Sequence, residues 1–178
     1  PAPLLHELLS RRVAEQAASP AVLRGSVAPH YAALDGQSRA VTAALLKADL
    51  GRGAVVALSA ASGPEQVAAA LGVWRAGGVL LALDPRAPID VQTELVKSAK
   101  TMLHLRSDAA PAIEGVRALS LEAALGEPGQ DGPGIGSDAG AWLRVELTAD
   151  GSSKHTRVSH AELTSAALAL SKLVGQKH

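Results

Sequence analysis

Three apolar runs, AVVALS at 54–59, VLLAL at Val79–Leu83 and TMLHL at 101–105, alternate with two amphipathic stretches, SGPEQVAAALGVWR at 62–75 and IDVQTELVKSA at 89–99. Each amphipathic stretch has the length of a crossover helix. The unbroken apolar run VLLAL is the pattern of a strand covered on both faces, as in a parallel sheet. A strand, helix, strand, helix, strand order predicts a parallel sheet with right-handed connections. The expected fold class is therefore α/β, a mostly parallel sheet flanked by helices. Punctuation agrees with this reading. Ser62 and Glu65 have capping-box spacing with Pro64 just inside the helix, Gly77 and Gly78 end it, and Asp84-Pro85 closes the second strand as a turn.

Upstream, residues 3–18 read as a helix with Leu4, Leu5, Leu8, Leu9 and Val13 on one side, stopped by Ser19-Pro20. A short strand at 21–24, a turn at Gly25 and a return at 27–31 suggest a hairpin, followed by a helix at 34–46 carrying Leu34, Val41 and Leu45. Downstream, 113–116 reads as a short strand and 119–125 as a short helix. The segment 126–140, GEPGQDGPGIGSDAG, reads as a flexible connector too rich in glycine and proline to pack, within a single domain spanning 1–178. Its Gly134-x-Gly136 follows no strand, so it does not predict a dinucleotide site. In LRVEL at 143–147, Leu143, Val145 and Leu147 alternate with Arg144 and Glu146, the pattern of a strand with one face in water. Ser159 and Glu162 form a second capping box. It opens a helix with Leu163, Ala166, Ala167, Leu170 and Val174 on one stripe, ending at Gly175.

Composition removes several functional classes. Seventeen basic and seventeen acidic side chains balance to zero net charge, with no basic block to attract nucleic acid or an anionic membrane. Tyr31, Trp74 and Trp142 are the only aromatic residues besides histidine, so no base-stacking platform is expected. The absence of cysteine excludes disulfides and thiolate chemistry and, with no signal-peptide or membrane-spanning pattern, leads to the expectation of a cytoplasmic protein. His6, His30, His104, His155 and His178 lack metal-ligand spacing and are expected at the surface or in loop contacts. Ser159 and His160 are adjacent in sequence, without a nucleophile elbow, and Ser159 is accounted for as a helix cap. No catalytic residue, metal site or cofactor is expected.

The candidate site is the loop TADGSSK at 148–154, held between LRVEL and the extended run HTRVSH. Small residues let backbone N–H groups converge on an anion, and a lysine supplies a point charge. Thr148, Gly151, Lys154, Ser159 and His160 fit the frame T-S-G-S/T-T-G-x-P-K-G closing on a Ser-His pair, and in this the loop resembles the phosphate loop of the adenylate-forming superfamily. Two more stretches carry the resemblance to nonribosomal peptide synthetase adenylation domains. His30–Asp35 resembles a family motif L-T-Y-x-E-L-D, and 74–85, WRAGGVLLALDP, resembles L-K-A-G-G-A-Y-x-P-L-D-P. The opening helix, with Leu5-His6-Glu7-Leu8, is similar too. The resemblance implies the front part of an adenylation domain.

In that frame the loop is altered. Two residues are missing, Asp150 stands where a family glycine would be, Ser153 replaces the proline and His155 replaces the glycine after the lysine. An aspartate repels a triphosphate and side chains block close backbone approach. The reading is thus a degenerate phosphate-loop remnant made of Thr148, Asp150, Gly151, Ser152, Ser153 and Lys154, in a truncated, catalytically inactive adenylation domain. Its expected role is a spacer or docking element in a peptide or polyketide synthase, next to a condensation domain and a carrier protein, or in contact with a second copy of itself. Val145, Leu147, Leu163 and Leu170 are expected to border the docking surface. Two alternatives remain: an N-terminal fragment of an active enzyme using ATP and magnesium on an amino or aryl acid, and a module binding a nucleotide or carrier protein without turnover.

Overall fold

The computed structural model describes residues 3–18 and 30–175, with side chains described through Ala169. The expected hairpin at 21–31 lies almost entirely outside the described residues, as do His178 and the side chains of Leu170 and Val174. Tyr31 opens a helix rather than closing a strand.

The elements run α1 Leu5–Gln16, α2 Tyr31–Lys47, β1 Val55–Ser59, α3 Pro64–Arg75, β2 Val79–Leu83, α4 Ile89–Ser98, β3 Leu103–Arg106, β4 Arg117–Ser120, α5 Leu121–Leu125, β5 Gly140–Leu147, β6 Ser153–Ser159 and α6 His160–Gly175. The six strands form one sheet in the order β4-β3-β1-β2-β5-β6. All neighbours are parallel except β5 and β6, which are antiparallel. The α/β expectation from the three apolar runs is therefore met, and the crossover from β2 over β1 to β3 places successive helices on opposite faces.

The period of two along each strand divides the core. Val56, Leu58, Leu80, Leu103 and Leu105 turn to one face, where α1, α2, α3 and α5 cover them with Leu9, Val41, Leu45, Val73 and Leu121. Val55, Ala57, Val79, Leu81 and Leu83 turn to the other, where α4 contributes Val96 and Ala99, and Ile113 seals the edge. Among the described residues, α4 is the one helix over the second face. Being parallel, β1, β2 and β5 all end at one edge of the sheet, and the 148–152 loop stands there.

Several local expectations change. The first capping box is out of register with the helix: the cap position of α3 is Gly63, at φ 153, so Ser62 stands one residue before it and Glu65 one residue before N3. That backbone region is open almost only to glycine, so the turn geometry overrides the Ser62 to Glu65 spacing. The fourth strand is Arg117–Ser120 rather than 113–116, and Ile113 anchors a loop instead. Helix α5 starts at Leu121, with the Ser120 hydroxyl accepting from the Ala123 N–H at 3.2 Å. Ala82 in the middle of VLLAL is exposed, so β2 is not covered along its whole length.

The connector at 126–140 packs, contrary to the expectation from its composition. Asp131 meets Arg39 at 2.6 Å and approaches Arg75 at 3.9 Å, and the Gln130 N–H donates to the Arg39 carbonyl at 3.3 Å. Further on, the N–H groups of His160 and Ala161 donate to the carbonyls of Ala139 and Ser137 at 3.0 and 2.7 Å. Low side-chain volume here serves close passage over α2 and α3.

Candidate functional site

Strand β5 shows the half-wet pattern expected of it over most of its length. Leu143 is buried and Val145 packs against the second core cluster, while Arg144 and Glu146 face water; Leu147 departs by being exposed. The β5 to β6 ladder runs from Gly140 opposite Ser159 to Leu147 opposite Ser153, with an irregularity between Gly140 and Trp142. The candidate loop is thus the tip of an antiparallel hairpin.

Its interior is filled by its own atoms. The Thr148 N–H donates to the Ser152 carbonyl at 2.9 Å and the Gly151 N–H to the Thr148 carbonyl at 3.1 Å. Gly151 takes φ 83, which a side chain there would strain. One carboxylate oxygen of Asp150 accepts from the Ser152 N–H at 3.0 Å, from the Ser152 hydroxyl at 2.7 Å and from the Thr148 hydroxyl. This is an aspartate bonding to the backbone two residues on, a common alternative to a backbone turn. These hydrogen bonds hold the Asp150 carboxyl down at about 2, the Thr148 hydroxyl contributing most. An anion cradle needs N–H groups free to converge on a ligand. Those of Thr148, Gly151 and Ser152 are already engaged, and a fixed negative charge sits among them.

Lys154 lies on β6 directly opposite Glu146, with an exposed side chain, and Ser153 and His155 point to the other face. There Ser98 of α4 bonds to Ser153 at 2.6 Å and to His155 Nε2 at 2.8 Å. The six candidate residues lie within 148–154 but do not converge: Thr148, Asp150 and Ser152 bond to one another, Gly151 makes the turn, and Ser153 and Lys154 diverge on the strand. Among the described residues no three His, Asp or Glu side chains are grouped to hold a metal ion.

The second capping box forms as expected, with Ser159 N–H to Glu162 at 2.7 Å and Glu162 N–H to Ser159 Oγ at 3.2 Å. Beneath it His160 is buried. Its ring sits edge-on to Trp74 at 6.5 Å and to His6 at 6.2 Å, and neither ring nitrogen has a hydrogen-bond partner among the described residues. It does not serve Ser159.

Two histidines depart from the expected surface or loop positions. His104 is fully buried on β3, with Nε2 2.7 Å from the Ser59 hydroxyl. Burial and then the Arg106 charge push it down to about 4. His6 is half-buried and is likewise pushed down to about 4, by burial first, then by the charges of Arg75 and His160. Both stay neutral in the folded chain at pH values where the unfolded chain is protonated. Stability from this source is complete above about pH 6.5 and is lost as pH falls toward 4. The urea midpoint is expected to drop between pH 7 and pH 4.5, and His104→Gln is expected to flatten that dependence.

Fold and loop together define a domain with a mostly parallel sheet and a short hairpin loop at its carboxyl edge. The sequence model of the family described as AMP-binding enzyme matches residues 9–170, and the chain belongs to that family. Phenyloxazoline synthase MbtB of Mycolicibacterium paratuberculosis is 35% identical over 101 residues, covering 57% of this chain and 9% of that protein. The probable nonribosomal peptide synthetase CymA of Salinispora arenicola is 31% identical over 181 residues, covering 93% of this chain and 2% of its own length. Among solved structures, the N-terminal subdomain of Klebsiella oxytoca NpsA superimposes with a TM-score of 0.77 at 18% identity, over 88% of this chain and 42% of that one. That likeness is one of fold. The chain thus spans less than a tenth of either relative.

Proposed function

We propose that this chain is the front portion of a nonribosomal peptide synthetase adenylation domain whose phosphate loop no longer receives ATP, and that it acts as a structural or docking element between neighbouring synthase domains. The observation that carries the reading is the Asp150 carboxylate, which accepts from Thr148 and Ser152 in the interior of the loop. A unit charge about 4 Å from a phosphate costs about 1 kcal/mol in water and about 4 kcal/mol near a protein surface. Loss of the loop's free donors adds to that. The relatives named above support a place in a peptide synthase, where carrier and condensation domains are the neighbours this reading assigns.

Under this proposal the isolated chain is expected to leave pyrophosphate exchange at background with ATP, magnesium and a panel of amino and aryl acids. Substrate-dependent exchange would instead favour the reading of a working adenylating fragment, which the family membership alone supports.

A further inference from the structure

Exposed aliphatic side chains lie at both ends of α4. Ile89 and Val91 of α4 and Leu147 at the end of β5 are 46%, 36% and 42% exposed, and they line a single groove of about 520 Å³. Its ionisable lining residues, Asp90, Glu94 and Glu114, are all carboxylates. The second place is beyond the other end of α4. Met102, 55% exposed, is the most exposed large hydrophobic residue among those described. It projects where the chain turns from α4 into β3, a turn made by Lys100 at φ 51, with Lys97 in the last helical turn before it.

We propose that the carboxylate-rimmed groove receives the Met102 tip of a second copy of this chain, with Lys100 and Lys97 of that copy meeting the acidic rim. The ten residues of α4 set Ile89 and Met102 about 15 Å apart, so Met102 does not fill the groove of its own molecule; of the rim carboxylates, Glu114 already lies beside Lys97 and Lys100 of the same chain, which leaves Asp90 and Glu94 for a partner. The two patches are complementary in kind, an apolar floor with acidic edges and an apolar tip with basic flanks. Charge pairing at such an edge sets partner choice and register. Groove and tip are different patches, so the contact is head-to-tail and extends into a ring or an open chain. A contact this small is weak and sensitive to salt. The inference is independent of whether the loop holds nucleotide, because neither patch includes residues 148–154.

Sedimentation velocity tests it through charge reversal. At about 10 mM salt the mean mass of the chain is expected to rise with concentration, and at about 0.5 M salt it falls back toward the monomer. Glu94→Lys and Lys100→Glu each place like charges across the contact and are expected to keep the chain monomeric. Glu94 is the better choice over Glu114, which also borders the groove beside Lys97 and Lys100. Mixing the two variants restores opposite charges at every contact, so the mixture is expected to associate as the parent does. Both reversals are at exposed positions, and restored association in the mixture shows that both variants are folded. A chain monomeric at millimolar concentration in low salt overturns the proposal. So does association that survives either single reversal, or a mixture that stays monomeric while both variants melt as the parent does.

Discussion

Trp74→Ala is expected to lower the unfolding free energy by about 3–5 kcal/mol, the range for removing a buried tryptophan. Trp74 is buried on α3 and its indole N–H donates to the Ala141 carbonyl at 2.7 Å, at the ladder irregularity between Gly140 and Trp142. The ring also tilts against Trp142 at 6.4 Å and meets His160 edge-on. One side chain therefore joins α3, the start of β5 and the start of α6. Trp74→Phe keeps most of the volume and leaves the Ala141 carbonyl without its donor, so its expected loss is smaller, about 1–3 kcal/mol. Urea unfolding followed by circular dichroism measures both. An alanine variant within about 1 kcal/mol of the parent would show that the ring is not the joint described.

Gly132→Ala is the second large effect. A Cβ built on Gly132 would lie 1.7 Å from the backbone carbonyl oxygen of Arg75 and 2.6 Å from its carbon. No rotamer change relieves a clash with backbone, so the connector must lift from the end of α3. Lifting it strains the approach of Asp131 to Arg75, a buried guanidinium that also bonds to Asp35 at 2.8 Å. A loss of about 3 kcal/mol is expected, at the upper end of overpacking substitutions. Gly134→Ala, with open space around its Cβ position, is the control and is expected to change little. Equal stability of the two variants would contradict the packed connector.

The contrast between these two glycines explains where the sequence could be read and where it could not. β1, α3, β2, α4 and β3 were legible because each has an apolar pattern long enough to fix its own type, and the alternation of types fixes a parallel sheet. The connector was not legible, because composition reports side-chain volume and not what the backbone passes over. The fourth strand was displaced for a related reason. Ile113 and Val116 have the better strand residues, yet the ladder forms at Arg117–Ser120, where pairing with β3 from Leu103 opposite Arg117 sets the register. His104 lies in the core, against the expectation of a surface position or a loop contact. The one signal against that was its place inside the otherwise apolar run TMLHL; its bond to Ser59 depends on the register of β1 against β3.

Of the candidate docking residues, Leu147 is exposed, whereas Val145 and Leu163 pack against the chain's own core. In the loop, the sequence exposed a misplaced charge at Asp150 but not its direction. That direction follows from the turn made by Gly151, which brings Ser152 round to donate to the carboxylate.

Asp150 takes up the donors a phosphate would need. Calorimetric titration of ATP with magnesium into the parent chain, beside Asp150→Gly, measures this. The parent is expected to give no saturable heat at millimolar ATP. Saturable binding by the parent, weakened by Lys154→Ala, would contradict it.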